Sequence, residues 1–484
     1  MPIHRIAEIV GIGMVLCFLA GVVPRAEAGC SGLSPTWLST ADWESVKSCI
    51  TKAVSNDTIL VSAGAEVYTS PLQIPVIKNL SIIGAGIGKT VLTCSSGACF
   101  SISDGNGGSS LSRISGFTLE GGYGVDLSRL DSTKPFRVDH NRITSSQMTS
   151  WTIFGHSNVR PRGLIDHNEM VHVRIVVGGT GFALHDAPPF NRFQHQIWAT
   201  EPGFGDASAI YIENNTIEVS HPGATDANYG GSYVFRFNTV IVKDTYVNEF
   251  HGVQGENRTG QRWEIYGNTF INPGTSIFAS AFLRGGTGFY FDNHRNGLWH
   301  GGCSLKIERS CEEKSPYGQC DGTFIIDGNT SGFQGWPCRD QIGRSYDATP
   351  YEGTGPWPAQ PSTPAYSWNN TEQDGTNLFH FESYNGCPRE RAFHSMENRD
   401  WYNQKRVFNG TEGVGRGPTS KRPSTCTPGV AYWATDEGEW NSMNGNMPDG
   451  QLYHCSANKT WTILYRPYIY PHPLQSKSLM TPLR

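Results

Sequence analysis

The densest group of chemistry-bearing side chains in this 484-residue chain is the run "HGVQGENRTGQR", which sets His251, Glu256, Arg258 and Arg262 within one short stretch. An imidazole among guanidiniums suits removal of a proton next to a carboxylate. The cations neutralise the acid and so acidify the neighbouring C–H, and a base of suitably lowered pKa takes the proton. That chemistry is β-elimination from a uronate, with Ca2+ as another source of neutralising charge. Two carboxylates placed across a glycosidic bond would instead hydrolyse it. Against both stands the reading in which these arginines pair with Asp126, Glu256 or Glu264 in solvated ion-pair ladders. His294, Arg295 and His300 in "HRNGLWH" follow and extend the patch; a His pair there is a candidate metal site.

The elements that would hold these residues announce themselves by repetition. Five segments share one form, an alternating stretch, an Asn and a second alternating stretch: "FRVDHNRI", "GLIDHNEM", "AIYIENNTI", "YVFRFNTV" and "WEIYGNTF". The asparagines are Asn141, Asn168, Asn215, Asn238 and Asn268, at steps of 27, 47, 23 and 30, and Asn329 in "FIIDGNT" follows 61 later. Steps in that range mean stacked coils, with the longer ones carrying an insertion or a skipped coil. At a sharp bend Asn tolerates left-handed backbone angles, and its amide can bond the equivalent Asn one rung away. These asparagines are therefore read as structural.

Composition agrees with a β-solenoid of many corners: 56 Gly and 37% hydrophobic residues. A net charge of −5 and the lack of a Lys/Arg run argue against a nucleic-acid partner. Residues 1–28 read as an export signal, with the apolar run Ile9 to Val23 and Ala26-Glu27-Ala28 as cleavage site. The run is too short to span a bilayer, and no later segment is a candidate span. Eleven cysteines remain beyond it, and in an exported chain these favour disulfides. Cys94/Cys99, Cys426/Cys455 and Cys30/Cys49 are the readiest pairs. Cys303, Cys311, Cys320, Cys338 and Cys387 share the rest with one left over. A secreted monomer is expected, with self-assembly through a free sheet edge as the alternative.

Residues 40–54 place Trp43, Val46, Ile50 and Val54 at helical spacing after a cap-like Thr40, as a lid for the first rung needs. "GAGIGKT" lacks phosphate-loop spacing and reads as a turn. With "DTILVSAGAEVY", "NLSIIGAGIGKTVL" and the repeated "DHN" and "NNT" segments, residues 40 to 340 resemble the pectate-lyase-like right-handed parallel β-helix superfamily. The fold class expected is all-β: a right-handed parallel β-helix over 29–340 with an N-terminal capping helix. An irregular Pro/Asn/Trp-rich segment, 341–425, is expected to pack on it, and a small disulfide-closed C-terminal β-module and tail to fill 426–484 and cap the last rung or bind a glycan.

In members of that superfamily the strand before the Asn-bearing strand faces the substrate groove. The resemblance thus implies outward positions for Asp126, His156, Arg174, His251 and Arg284, lined up about 4.8 Å per rung, with Glu256, Arg258 and Arg262 on the turn beyond. Within an enzyme reading, His251 is the base and Arg258, Arg262 and Arg284 neutralise charge. Asp126, His156, Arg174 and Glu256 bind substrate, joined by Trp198 as a sugar-stacking ring from the loop 178–208, although burial of Trp198 against the stack is the competing reading. The superfamily's enzymes carry strings this chain lacks: N-T-D, D-D, G-H-G and R-I-K of the hydrolases, D-P-H of the epimerases and R-x-P-x-x-R of the lyases, of which "RGPTSK" is the nearest trace. The expectation is a secreted protein that cleaves an acidic polysaccharide by β-elimination, with hydrolysis and a non-catalytic structural, adhesive or filament-forming role as alternatives.

Overall fold

The computed structural model describes residues 29–75, 78–103, 112–131, 135–156, 160–179, 197–252, 258–275, 277, 279–307, 320, 327–328, 335–344, 346–351, 358–375, 378–384 and 394–476. The expected export signal, Glu256, Asn329, Cys311 and Cys387 lie outside them. The chain is mostly β, and its strands form long parallel sheets that curl into a half-barrel, an arrangement consistent with a parallel β-helix. Among the described residues one sheet has 13 strands and another 18. Three ladders build them. The first runs from Thr36–Ser39 to Trp401–Asn403, the second from Gly64–Tyr68 to Thr371–Glu372, and the third from Leu72–Pro75 to Phe381–Ser383. Strands Arg142–His156 and Glu169–Gly178 pass through both the second and third ladders and fuse them into one sheet.

Register is set by alternation. Along the first ladder Ile59, Ile82, Ile114, Val138, Ile165, Ile212, Phe235, Ile265 and Tyr290 pair in succession, and all have no exposed surface. Each such side chain contributes about 1.5–3 kcal/mol by leaving water, and a slip of one residue would turn the whole column outward. The lid is the helix Trp43–Lys52, one turn shorter than its apolar spacing predicts. Asp42, not Thr40, caps it, its carboxylate accepting from the Ser45 N–H at 2.9 Å, and Val54 lies past its end, exposed. Disulfides Cys30–Cys49, Cys94–Cys99 and Cys426–Cys455 are formed as expected, together with Cys320–Cys338, while Cys303 is buried with a free thiol. No helix among the described residues is long and apolar enough to cross a membrane.

The asparagines do form a ladder, longer than the five repeats show. Each Nδ2 donates to the Oδ1 of the next: Asn141 to Asn168 (3.1 Å), Asn168 to Asn215 (3.0 Å), Asn215 to Asn238 (3.0 Å), Asn238 to Asn268 (3.1 Å), Asn268 to Asn293 (2.9 Å) and Asn293 to Asn370 (2.9 Å). The left-handed angle belongs to the residue before each Asn rather than to the Asn itself: His140, His167, Asn214, Phe237, Gly267, Asp292 and Asn369 have φ from 52° to 66°. The bend is taken one position early, which turns the carboxamide inward to reach its neighbour.

The first ladder continues through Ala365–Trp368 and Trp401–Asn403, beyond the expected boundary at 340. The C-terminal module has four strands, Val414–Gly417, Ala431–Ala434, Gln451–Cys455 and Trp461–Tyr465, and it lies against the side of the stack. It covers the outer face of the first ladder. Tyr266, Phe291 and Trp368 stack on successive rungs with centroids 4.5 and 4.3 Å apart, and Trp433 of the module closes on Trp368 at 4.9 Å. Further along, Arg236 bonds Glu213 (2.6 Å) and the Tyr468 and Ile469 carbonyls (2.7 and 2.9 Å).

Asn238→Ala removes the acceptor of Asn215's backbone and side-chain N–H groups and the donor to the Ile212 carbonyl, all buried. It should cost about 3 kcal/mol in urea unfolding. His140→Gly, at a left-handed position glycine accepts freely, should change stability by less than about 1 kcal/mol.

Candidate active site

The outward face of the third ladder carries one charged cluster. Pairing runs Ser101 to Asp126, Thr152 to Val176, Val176 to Asp226, Glu249 to Phe282, Phe282 to Ser304 and Ser304 to Glu382, and the Thr225–Asn248 pair places Asp226 beside Glu249. Two residues further along each strand, His251 follows Glu249 and Arg284 follows Phe282, so alternation puts them on the same face. Asp126 thus shares the column of Asp226, three rungs or about 14 Å away; it bonds Ser101 at 3.1 Å and takes no part in the cluster.

Five side chains meet. Arg174 Nη2 lies 3.0 Å from Asp226 Oδ2 and also bonds Glu249 Oε2, while Arg284 Nη2 bonds Glu249 Oε1 and lies 3.0 Å from His251 Nδ1. His251 Nδ1 lies 3.2 Å from Asp226 Oδ2. Glu249 is therefore a bridge between two guanidiniums, and both arginines and both carboxylates are buried, whereas the His251 side chain keeps 30% of its surface exposed. An arginine that contacts Nδ1 requires a lone pair there, and Asp226 requires a proton there. The imidazole thus has two partners that suit Nδ1 with and without its proton.

Burial opposes the imidazolium, yet the hydrogen bond to Asp226 and that carboxylate's charge outweigh it and raise the His251 pKa above its ordinary value. Burial likewise opposes the Asp226 anion, but His251 and Arg174 hold its pKa below the usual carboxylate range. The stability that comes from the raised His251 pKa is fully present below the unfolded imidazole pKa near 6.5 and is lost as pH rises through the higher folded value, while that from the lowered Asp226 pKa is lost as pH falls through the carboxylate range. An aromatic row borders the cluster. Tyr246 and Phe282 have centroids 5.5 Å apart, Phe282 and Tyr384 5.7 Å, and Lys306 sits over both Phe282 and Tyr384.

The structure brings together His251, Arg174 and Arg284 and places Arg258, Trp198, Arg262 and Arg295 elsewhere. Arg258 is held by Asp340 (2.8 and 2.6 Å) and Asp347 (2.8 and 2.9 Å), and its guanidinium lies 4.5 Å over the Trp198 ring. Both side chains are buried, so Trp198 is a packing ring and offers no face to a sugar. Arg262 lies on the outer face of the first ladder, paired with Glu264 and with Asp206 at 3.1 Å, beneath Tyr465 of the module, whose hydroxyl bonds Glu264 at 2.5 Å. Their carboxylate partners already neutralise them, and neither reaches the His251 face. Arg295 pairs with Glu372 on the second ladder, away from the cluster. The backbone of His156 is on a third-ladder strand, while its side chain and all of Glu256 lie outside the described residues.

Asp226 and Glu249 were missed in the sequence. Glu249 stands two positions before His251 and so shares its face, and Asp226 stands 25 positions, one rung, before it. With His251 they form a group whose ligand atoms lie within 4.8 Å of one another. The donor set does not fit a calcium ion. An imidazole is not a hard oxygen ligand, and Arg174 and Arg284 already meet both carboxylates with positive charge.

Asp226→Asn should bring the His251 pKa down below the ordinary imidazole value, because burial and Arg284 then dominate; a ring-nitrogen NMR titration reads this directly. No protein-family model and no curated protein matches this chain.

Proposed function

We propose that this chain is an exported right-handed parallel β-helix protein of the pectate-lyase-like kind, which binds an acidic extracellular polysaccharide along the third ladder and cleaves it by β-elimination. One observation carries the reading: an imidazole flanked by a carboxylate and a guanidinium on an outward, regularly spaced face. In this scheme Arg284, which contacts His251 and shares Glu249 with Arg174, is the cation beside the uronate carboxylate, His251 removes the C5 proton, the electron pair forms the C4–C5 double bond, and the C4–O bond breaks with the leaving oxygen protonated by solvent. Glu249 positions both arginines and Asp226 positions His251. The four disulfides among the described residues support an oxidising compartment and hence export.

Hydrolysis is the second reading, favoured by Asp226 and Glu249 on adjacent rungs, since a retaining mechanism needs two carboxyls about 5–5.5 Å apart. The bonds of both carboxylates to arginine argue against either of them serving as the protonated acid.

Incubation with polygalacturonate and alginate should release products with an ultraviolet-absorbing unsaturated end. The rate should rise with pH until it passes the raised His251 pKa, because only the neutral imidazole accepts a proton. His251→Ala should lower the rate by at least about 100-fold with unchanged folding. New reducing ends without ultraviolet absorbance would replace elimination with hydrolysis, and turnover retained by His251→Ala would remove that residue from the base role.

A further inference from the structure

Two cavities open along one corner of the stack, on the side away from the charged cluster. The first, about 510 Å³, is lined by Asn214, Thr216, Phe237 and Thr239 of the stack and by Met443 and Tyr470 of the C-terminal segment. The second, about 320 Å³, is lined by Asp292, Asn369 and Thr371 of the stack and by Arg416, Trp433 and Asp449 of the module. Asn214, Phe237, Gly267, Asp292 and Asn369 are the left-handed turn residues of five consecutive rungs. The two cavities therefore lie in line along the stack, spanning four steps or about 19 Å.

The floor is polar and in part already paired: Asn369 donates to Asp292, and the Tyr470 hydroxyl donates to Asn214. Thr216 and Thr239 pair in register beside the turn row in the first cavity, and Thr371 lines the second, so three hydroxyls lie along the floor. Phe237 takes the left-handed angle that the turn residues of this row share, φ 55°, and brings an aromatic ring to the corner. Its ring packs on Tyr470 at 4.0 Å and leans over Gly267, where a Cβ would come within 2.6 Å of it. Charge in the groove is sparse, with Asp292 and Asp449 against Arg416, which gives a polyanion nothing to gain.

We propose that this corner groove, walled by the C-terminal module, is a second and non-catalytic site that binds a neutral glycan strand lying along the stack. Apolar rings with a few fixed polar groups are the makeup of such sites. The module then has two roles: it buries the outer face of the first ladder and forms the far wall of a cleft.

The test is calorimetric binding of cellohexaose, mannohexaose and hexagalacturonate to the full chain. A neutral hexasaccharide should bind, and the His251→Ala variant should bind it equally, so that this site is judged apart from the proposed lyase activity. Thr216→Arg places a long cation in the groove from an exposed strand position and should weaken binding at least about tenfold, and Phe237→Gly, which suits the left-handed backbone, should do the same. Binding of hexagalacturonate alone, binding of none of the three, or wild-type affinity in Thr216→Arg would each overturn the proposal.

Discussion

The carboxamide passed from rung to rung at one corner is the constraint on which the rest depends. Each asparagine accepts from the backbone and the side chain of the one before it, so consecutive rungs must arrive at the same height whatever lies between them. The chain inserts freely elsewhere: 47 residues separate Asn168 from Asn215 and 77 separate Asn293 from Asn370, yet both pairs bond normally. Fixed register at the corner is what sets Asp226 beside Glu249 and His251 beside Arg284, residues that no local sequence motif joins. The charged cluster is thus a product of stacking rather than of any one loop.

The same stacking makes every outward position equivalent until something covers it. Outward residues of the first ladder meet the C-terminal module, those of the third ladder carry the charged cluster, and the corner between the first and second is partly walled. Arg236 shows the cost of coverage: fully buried, it is satisfied by Glu213, by two backbone carbonyls and by the ring of Tyr211 beneath it at 4.8 Å. A cation with so many partners is a structural joint and has no charge left for a ligand.

Much of the architecture was legible because it repeats. The Asn spacing pointed to stacked rungs, the apolar spacing of residues 40–54 to the cap helix and cysteine proximity to three disulfide pairs, while the outward placement of Arg174, His251 and Arg284 was implied by the resemblance. Asn293 in "FDNHRN" and Asn370 in "SWNNTE" escaped, although the latter repeats the "NNT" around Asn215, because the 77-residue step between them breaks the period. The site was half legible. Alternation tells outward from inward but not exposed from covered, so Arg258 and Arg262 read as groove residues when Asp340, Asp347 and the module in fact enclose them. Asp340 and Asp347 lie roughly 80 residues and the module roughly 200 residues away in sequence, too far for any local pattern to reveal, whereas Glu264, which the competing reading named, stands two positions from Arg262. Asp226 and Glu249 stood in plain view: strand alternation from His251 finds Glu249, and counting back one rung finds Asp226.

The aromatic outer column of Tyr266, Phe291 and Trp368 precedes in the chain the strands that shelter it. A polypeptide emerging amino end first therefore completes most of its rungs while this column still faces water, and only arrival of the last seventy or so residues hides it. Truncation near the carboxyl end would leave a sticky flank on an otherwise finished scaffold, so the order of synthesis makes the final segment the step that turns an association-prone intermediate into a soluble particle.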